Sequence, residues 1–319
     1  MTETRCASEQ GAIEQAARIL REGGLVAFPT ETVYGLGAAA ASPLATAKIY
    51  AAKGRPSFNP LIAHVADLDA ARREADLPEP AMLLAEKFWP GPLTLVAPVA
   101  PRASVCELAR SGLASVALRI PSHPCALALL RAFGGPVVAP SANISGHVSP
   151  VTAAHVEADL SGRVDLILDG GRCSAGLEST IVSFVGEEPV ILRPGAIARE
   201  AIEAAMGRPL RVAGGDEPIV SPGMTASHYA PRARLRLDAT SLEPGEAGID
   251  FCGALRRAGA EGVILDLSPS GDLTEAAANL YVFLRELDAR QIPRAAVAPV
   301  PSRGLGEAIR DRLRRAAAR

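Results

Sequence analysis

The stretch of sequence that indicates the fold class is LVAFPTETVYG, residues 25–35. Residues 25–28 form an apolar run with the length of a buried strand, and polar side chains follow directly at Thr30, Glu31 and Thr32. In open α/β sheets, ligands bind beyond the ends of such strands. The stretch therefore predicts a strand that leads into a binding loop. The same hydroxyl groups are equally typical of an ordinary turn that caps a helix.

Helix and strand patterns alternate on both sides of this stretch. Helical spacing at residues 43–53 and 199–206 alternates with short apolar runs such as residues 115–120 and 180–185. These patterns predict an α/β fold, with a mixed twisted sheet and flanking helices over residues 1–206. The order of the strands stays open.

The C-terminal part of the chain has a different pattern. Residues 207–232 are rich in proline and glycine and have no apolar periodicity, which is typical of a long linker. Over residues 233–319, strands alternate with helices at the lengths of βαβ units, which predicts a smaller α/β domain with a parallel sheet. We therefore expect two domains, 1–206 and 233–319, joined by the linker 207–232.

The composition argues against several classes of protein. The chain has 319 residues, of which 48% are hydrophobic and 21% charged, with a net charge of −2, so a disordered chain is excluded. No apolar run approaches the ~20 residues that cross a bilayer, and residues 1–5 have no basic start or apolar core of a secretory signal. The five scattered cysteines form no C-x-x-C pair, which favours a reducing compartment. A cytoplasmic location is expected.

Several common site motifs are missing. The sequence contains no G-x-x-x-x-G-K-[ST] phosphate loop, and its five histidines do not have the spacing of zinc ligands. Residues 35–40, GLGAAA, approach a dinucleotide-binding motif, but no acidic residue follows about 20 positions later. Ser141 is not part of the G-x-S-x-G elbow of serine hydrolases. These absences argue against P-loop, dinucleotide, zinc and serine-hydrolase chemistry.

Cations and hydroxyl groups recur instead at predicted strand ends. Lys53 and Arg55 lie two residues apart in a loop that contains two prolines, from which both cations are expected to project, and Arg119 and Arg193 each end an apolar strand. A lysine supplies a point charge and an arginine a bidentate fork, a combination that suits a polyphosphate. Residues 141–145 add a hydroxyl and amide cluster after another short strand. The pattern predicts an anionic ligand of nucleotide size and nucleotidyl or acyl-phosphate chemistry. Solvated charge pairs and an Asx turn remain open for individual positions.

A set of short motifs runs in order through the chain: residues 28–36 (FPTETVYGL), 53–61, 88–94 (FWPGPLT), 119–121, 141–143, 179–180 and 192–195. Together they resemble the YrdC-like L-threonylcarbamoyladenylate synthase family. Residues 221–224 and 228–231 are similar to the linker of its long subgroup, which carries an appended Rossmann-like domain. The resemblance thus implies a YrdC-like catalytic domain followed by a smaller Rossmann-like domain.

The resemblance also implies a reaction. L-Threonine, bicarbonate and ATP would give threonylcarbamoyl-AMP and pyrophosphate, which makes the protein a nucleotidyltransferase. Mg²⁺ would be bound through the ATP phosphates, with no ligands from protein side chains. The product would supply a partner complex that attaches the threonylcarbamoyl group to certain tRNAs. No protein nucleophile is needed, because a carbamate formed from threonine attacks ATP.

The motif matches imply two groups of binding residues. The residues expected to contact threonine are Thr32, His64, Arg119, Ala139 (through its backbone) and Ser179, with Arg119 pairing with the carboxylate. The residues expected to contact ATP are Lys53, Arg55, Asn59, Ser115, Ser141, Asn143, Ser149, Arg193 and Tyr229. Tyr229 would close over the site as a lid, whereas His64 is also compatible with a satisfied core histidine. The chain departs from the family's linker motif at Ser227, where many members have a basic residue.

A second class of function stays open, an RNA-binding or ribosome-assembly module that uses the same cationic concavity. Its best support is a predicted basic C-terminal helix with Arg310, Arg312, Arg314 and Arg315, a pattern equally typical of a solvated helix face. The aromatic content of 4% and the net negative charge argue against it. A carbamoyl-transfer domain like that of hydrogenase maturation proteins is a third possibility, but this chain lacks their zinc-finger and acyl-phosphatase segments.

Overall fold

The computed structural model describes residues 2–56, 58–214 and 229–318. Over these residues the chain forms two sheets, one of eleven strands and one of four. The large sheet is mixed and contains the described strands up to residue 212, and the small sheet contains those from residue 234 onward. The predicted α/β fold class is confirmed.

The two sheets and their helices have the following bounds. The large sheet consists of β1 (Glu3–Cys6), β2 (Val26–Phe28), β3 (Gly35–Ala39), β4 (Ile62–His64), β5 (Leu93–Pro98), β6 (Ser115–Arg119), β7 (Val137–Val138), β8 (Leu166–Asp169), β9 (Thr180–Ser183), β10 (Val190–Arg193) and β11 (Arg211–Val212). Its helices are α1 (Ala12–Arg21), α2 (Pro43–Lys53), α3 (Leu68–Glu74), α4 (Glu79–Phe88), α5 (Pro124–Phe133), α6 (Ala153–Leu160) and α7 (Arg199–Met206). The small sheet consists of β12 (Arg234–Arg236), β13 (Ala247–Asp250), β14 (Ile264–Asp266) and β15 (Arg294–Val297), with α8 (Ala254–Arg257), α9 (Leu273–Ala289) and α10 (Leu305–Ala317). Among the described helices, none is both long and apolar enough to cross a membrane.

The strand order of the large sheet is β1-β8-β2-β3-β7-β4-β6-β5-β9-β10-β11. At its centre, β4 and β6 are parallel and pair His64 with Arg119. β5 runs antiparallel to β6 and parallel to β9. The first residues of β5 and β9 therefore lie at the same edge of the sheet as the last residues of β4 and β6. The small sheet, in the order β12-β15-β13-β14, is parallel throughout, as predicted.

Local sequence determines the ends of several helices. α2 begins after Ser42, whose side chain accepts a hydrogen bond from the backbone N–H of Ala45, and Pro43 occupies its first turn. α2 ends at Lys53, and the next residue, Gly54, has φ of 60°, a left-handed conformation that glycine adopts without strain. Asp67 caps α3 in the same way as Ser42 caps α2. The predicted bounds of α2, residues 43–53, are confirmed.

The apolar core is continuous between the two sheets. One cluster of buried residues includes Leu177, which follows β8, together with Leu280 and Leu284 of α9. The backbones approach closely at Gly176, where an added Cβ would lie 2.5 Å from the Cα of Ala278 and where φ is +67°. The loop before β9 therefore packs directly against the backbone of α9.

Five elements do not follow from the sequence patterns, namely β1, β3, α6, β11 and α8. β3 has the sequence GLGAA and lacks the β-branched and aromatic residues typical of strands, so the GLGAAA near-match is a buried strand and no phosphate-binding turn. β11 lies inside the predicted linker and pairs in parallel with β10. A strand of two residues is too short to show a period. The predicted linker motifs at residues 221–224 and 228 lie outside the described residues.

We expect Gly195→Ala to destabilise the fold beside the sheet edge. A Cβ at this position would lie 2.4 Å from three backbone atoms of residues 178–180. Because backbone cannot move aside as a flexible side chain can, the free energy of unfolding should fall by about 1–3 kcal/mol, measured by urea denaturation. Gly186→Ala is the matched control, since its nearest neighbour is the carbonyl oxygen of Glu188 at 3.9 Å. Equal effects of the two substitutions would contradict this account.

Candidate active site

A small cavity lies at the edge of the large sheet where β4, β6 and β10 end and β9 begins. Its volume is about 50 Å³. A water molecule needs about 10–15 Å³ of such space, so the cavity has room for only a few waters. All residues predicted to bind threonine line it: Thr32, His64, Arg119, Ala139 and Ser179. Of the residues predicted to bind ATP, Arg55, Ser141, Arg193 and Tyr229 line it. The structure thus brings these positions together, and the ligand assigned to each one stays a prediction.

Arg119 lies at the end of β6, buried at the centre of this group. One terminal nitrogen donates to the Thr32 hydroxyl at 2.9 Å, and Nε donates to the carbonyl oxygen of Gly91 at 3.3 Å. The other terminal nitrogen is 2.7 Å from a carboxylate oxygen of Glu31. Burial opposes ionisation of Glu31, but the charge and hydrogen bonding of Arg119 lower the pKa of Glu31 below its ordinary value. Arg119 therefore already has a carboxylate partner within the chain.

Arg193 and Ser179 are held together between β9 and β10. Arg193 donates to the carbonyl oxygen of Ser179 from Nε at 3.3 Å and from Nη2 at 3.0 Å, and Nη2 also donates to the Ser179 hydroxyl at 3.2 Å. The hydroxyl groups of Ser179 and Thr94 are 2.7 Å apart. Burial lowers the pKa of Arg193 from its ordinary value. The sequence places these residues 14 positions apart, and the antiparallel pairing of β9 with β10 brings them into contact.

His64 ends β4 and is buried in the cavity wall. Its ring packs edge-on against Phe28, with ring centres 6.3 Å apart. Burial, together with the charge of Arg119, lowers the pKa of His64 to about 3, so the ring is neutral. Among the described residues, no group forms a hydrogen bond with its buried Nδ1. The two predicted roles of His64, a core histidine and a histidine that contacts a ligand, both stay predictions.

Lys53 does not project from a loop, so that prediction is wrong. It is the last residue of α2, and its side chain is buried. Nζ donates to the carbonyl oxygens of Ser141 and Asn143, both at 2.6 Å, and to the Asn143 side-chain oxygen at 3.2 Å. Burial, with a smaller effect from Arg55, lowers the pKa of Lys53 well below its ordinary value. A lysine has three N–H donors, and here all three hold the loop at residues 141–143.

Arg55 follows α2 and does reach the cavity. Its Nε donates to the carbonyl oxygen of Asn59 at 3.3 Å and its Nη2 to that of Pro60 at 3.1 Å. Burial lowers the pKa of Arg55 to about 10. Asn59 itself is buried outside the cavity lining, and its side-chain oxygen has no hydrogen-bond partner within the described ranges.

The remaining residues predicted to bind ATP are not among those that line the cavity. The Asn143 side chain accepts from the Ser141 hydroxyl at 2.6 Å and donates to the carbonyl oxygen of His147 at 2.8 Å, which shapes the loop. Ser149 donates to a carboxylate oxygen of Glu178 at 2.7 Å. Ser115 begins β6, four residues before Arg119, and is therefore roughly 13 Å away along the strand. Five of the residues predicted to bind ATP therefore do not line the cavity: Lys53, Asn59, Ser115, Asn143 and Ser149.

Tyr229 is buried in the cavity wall, with φ of +63°. Its ring stacks on that of Tyr281 in α9, with centres 5.7 Å apart and planes at 24°. The guanidinium carbon of Arg312 in α10 lies 5.2 Å from the centre of the Tyr229 ring. The preceding residues, including Ser227 and His228 of the predicted motif, lie outside the described residues.

Three further residues of this region, Glu178, Tyr281 and Arg312, were not singled out as cavity residues from the sequence. Glu178 lines the cavity and is buried. Arg312 was expected on a solvated or RNA-binding helix face, and that expectation is wrong, because its side chain is 0% exposed and paired with Glu178. The signal was present in part, since Glu178 precedes the Ser179-Thr180 motif directly. The position of Arg312 depends on how α10 packs, which no local pattern shows.

Buried arginines, hydroxyl groups and a neutral histidine at one edge of a mixed α/β sheet define a protein that binds a small anionic ligand. The chain belongs to the Sua5/YciO/YrdC family. Residues 18–195 match the model of that family, whose description is Telomere recombination. Residues 197–318 match the model described as Threonylcarbamoyl-AMP synthase, C-terminal domain.

Relatives and solved structures match nearly the whole chain. A Bacillus subtilis protein named Threonylcarbamoyl-AMP synthase is 44% identical over 322 residues, which covers 96% of this chain and 92% of that protein. A Pyrococcus abyssi protein of the same name is 40% identical over 326 residues, covering 97% and 94%. The crystal structure of P. abyssi Sua5 complexed with L-threonine has a TM-score of 0.89 at 36% identity and covers 99% of this chain and 97% of that one. A variant of that protein, with a histidine and a tyrosine replaced by alanine, has a TM-score of 0.88 at 35% identity and covers 99% and 96%.

The low pKa of His64 predicts a pH dependence of stability. The unfolded chain binds a proton at His64 near its ordinary pKa of 6.5, whereas the folded chain binds one only near 3. Stability from the neutral ring is thus fully present above pH 6.5 and is lost as the pH falls toward 3, by up to about 1.4 kcal/mol per pH unit. Between about pH 7 and about pH 5, the free energy of unfolding of the wild type should fall by roughly 2 kcal/mol more than that of His64→Gln. The free energies of unfolding are measured by urea denaturation at both pH values. If they decrease equally in the wild type and in His64→Gln, a buried neutral His64 is contradicted.

Proposed function

We propose that the protein is a threonylcarbamoyl-AMP synthase. It would form threonylcarbamoyl-AMP and pyrophosphate from L-threonine, bicarbonate and ATP, as a nucleotidyltransferase. The observation that carries the proposal is the convergence of Arg55, Arg119 and Arg193 on one cavity beside Thr32 and Ser179. The names of the full-length relatives and the threonine complex of the P. abyssi protein support the choice of substrate.

Threonine is proposed to bind with its carboxylate at Arg119. An arginine fork matches a carboxylate in geometry and charge. The ligand carboxylate would therefore share Arg119 with Glu31, or it would displace the Glu31 carboxylate from Arg119. The hydroxyl groups of Thr32 and Ser179 and the backbone at Ala139 lie in the same lining, within reach of the polar groups of an amino acid. His64 would contact threonine through Nδ1, the buried atom that has no hydrogen-bond partner among the described residues.

The proposed chemistry requires positioning and charge rather than a nucleophile of the protein. The threonine amine adds to bicarbonate with loss of water, which forms a carbamate. A carbamate oxygen then bonds to the α-phosphorus of ATP as the bond to pyrophosphate breaks. Both reactants are anions, and the charges of Arg55 and Arg193 would offset their repulsion in a site shielded from water. Mg²⁺ is proposed to enter as part of the MgATP substrate.

ATP requires more space than the cavity offers. Sites for ligands of this size have volumes of about 300–1,000 Å³, against about 50 Å³ here. Tyr229 is the proposed lid, because it lines the cavity and follows a segment rich in proline and glycine. Its displacement would admit the nucleotide toward Ser141, and its return would protect the mixed anhydride from water.

Three further assignments belong to the same proposal. The chain would divide into a catalytic domain at 1–206, a linker at 207–232 and a C-terminal domain at 233–319. The product would pass to the complex that attaches the threonylcarbamoyl group to tRNA. The protein would act in the cytoplasm. Direct RNA binding through α10 is not included, because Arg312 is buried in an ion pair and Arg315 is paired with Asp311.

Pyrophosphate release tests the proposal directly. The full chain with L-threonine, bicarbonate and MgATP should release pyrophosphate, and omission of threonine or bicarbonate should abolish the release. The adenylate product should be detectable by mass spectrometry. Release that does not depend on threonine would contradict the proposal, as would tight binding of RNA without turnover.

Lys53→Ala should lower kcat by roughly 10²-fold, the scale for loss of a preorganised group. Without the three donors of Lys53, the loop that carries Ser141 at the cavity is no longer held. Lys48→Ala is the matched control, since Lys48 is exposed and donates to the carbonyl oxygen of Gly23, away from the cavity lining. Its kcat should stay within about twofold of the wild type, with circular dichroism to check the folding of both variants. A near-normal rate for Lys53→Ala would remove Lys53 from the mechanism.

A further inference from the structure

A buried ion pair joins α10 to the wall of the cavity. Arg312 Nε donates to a carboxylate oxygen of Glu178 at 2.8 Å, and its Nη2 donates to the carbonyl oxygen of Pro194 at 3.0 Å. Pro194 follows Arg193, and Glu178 itself lines the cavity. Arg312 also lies over the ring of Tyr229, 5.2 Å from its centre. One side chain of the small-sheet part thus contacts two residues that line the cavity, Glu178 and Tyr229, and the residue that follows a third, Arg193.

Glu178 is ionised in this position. Its carboxylate accepts hydrogen bonds from the hydroxyl groups of Ser149 at 2.7 Å and Tyr281 at 2.8 Å, besides the bond from Arg312. Burial opposes ionisation, but the charges of Arg312 and Arg193 and these hydrogen bonds lower the pKa of Glu178 to about 2. A full negative charge therefore lies in the wall of a cavity whose other charged lining residues, in the described part of the chain, are Arg55, Arg119 and Arg193.

A negative charge at this position has two unfavourable consequences unless it is neutralised. It repels an anionic ligand. It also attracts Arg193, whose positive charge would otherwise act on that ligand. Both effects are strong because Coulomb interactions are strong where water is excluded. Arg312 supplies the opposite charge from the side away from the cavity. The second carboxylate beside Arg312, that of Asp311 at 2.6 Å, is also paired with Arg315 at 3.0 Å.

We propose that Arg312 is a positioning residue of the cavity, which neutralises Glu178 so that the charge of Arg193 acts on the anionic ligand, and which holds Tyr229 in the cavity wall. This proposal rests on the proposed function only in its kinetic test, which measures turnover of ATP. Arg312 does not line the cavity and touches no reacting atom; it acts through Glu178 and Tyr229.

Three single variants separate this role from a general effect of α10. Arg312→Met removes the charge at similar length, and the KM for ATP should rise by about tenfold or more, while the Kd for threonine alone, from calorimetry, stays within about threefold. Arg312→Lys retains a charge beside Glu178 and should recover most of the loss. Arg314→Met is the matched control on the exposed face of α10, where Arg314 donates to the carbonyl oxygen of Arg310 at 3.3 Å. An unchanged KM for ATP in Arg312→Met, or a change of equal size in Arg314→Met, would overturn the proposal.

A double variant tests whether Arg312 acts through the charge of Glu178. Glu178→Gln removes the carboxylate that Arg312→Met leaves buried and unpaired, a situation that is costly in a protein interior. The KM for ATP of the double variant should therefore be lower than that of Arg312→Met alone. A double variant with a KM equal to or higher than that of Arg312→Met would show that the charge of Glu178 is not the reason for the effect.

Hydrogen exchange provides a readout that does not depend on catalysis. The backbone N–H of Ala230, next to Tyr229, donates to the carbonyl oxygen of Gly146 at 3.0 Å. In Arg312→Met, exchange at Ala230 should become at least about tenfold faster, while the strands β13 and β15 keep their protection. Unchanged protection at Ala230, or an equal loss across the small sheet, would overturn the positioning role. If the wild type releases no pyrophosphate, the proposed function fails, and this measurement still decides the role of Arg312.

Discussion

The free-energy cost of removing a charge from water determines how this cavity is built. Lys53, Arg55, Arg119 and Arg193 are all buried beside it. Each directs N–H groups at oxygen atoms of a neighbouring loop or strand, because a buried charge without a partner is strongly unfavourable. The cations thereby fix the loop segments that carry the hydroxyl groups. The loops position the charged side chains and are in turn held by them. Both are attached to the ends of neighbouring strands.

The internal partners of these cations determine how a ligand can bind. Arg119 is paired with the carboxylate of Glu31, so an incoming carboxylate competes with a full charge. Within the described residues, Arg55 donates to carbonyl oxygens, which compensate a guanidinium charge less completely than a carboxylate does. Arg55 is therefore the stronger attractor for additional negative charge. The two positions differ in the charge of their internal partners although both are buried arginines.

Local signals explain which parts of this fold and site could be predicted. The bounds of α2 follow from Ser42, Pro43 and Gly54, and the grouping of polar residues after strands follows from the strand patterns and the family motifs. The strand β3 could not be predicted, since its sequence of glycine and alanine has no period and is held by its neighbours on both sides. The direction of Lys53 and the burial of Arg312 depend on contacts across 90 and 134 positions of sequence. The residue types predicted an anionic ligand. Which side chains lie at the cavity depends on tertiary packing.

Gly176 constrains substitution more tightly than an ordinary turn glycine. Its φ of +67° by itself would leave asparagine and aspartate as acceptable replacements, since both tolerate left-handed backbone. The backbone of α9 removes that choice, because any Cβ would lie 2.5 Å from the Cα of Ala278. In a chain without α9, only the positive φ would restrict the residue type at position 176. The range of residues tolerated there across a mutational scan would consequently report whether the small-sheet part is seated against the large one.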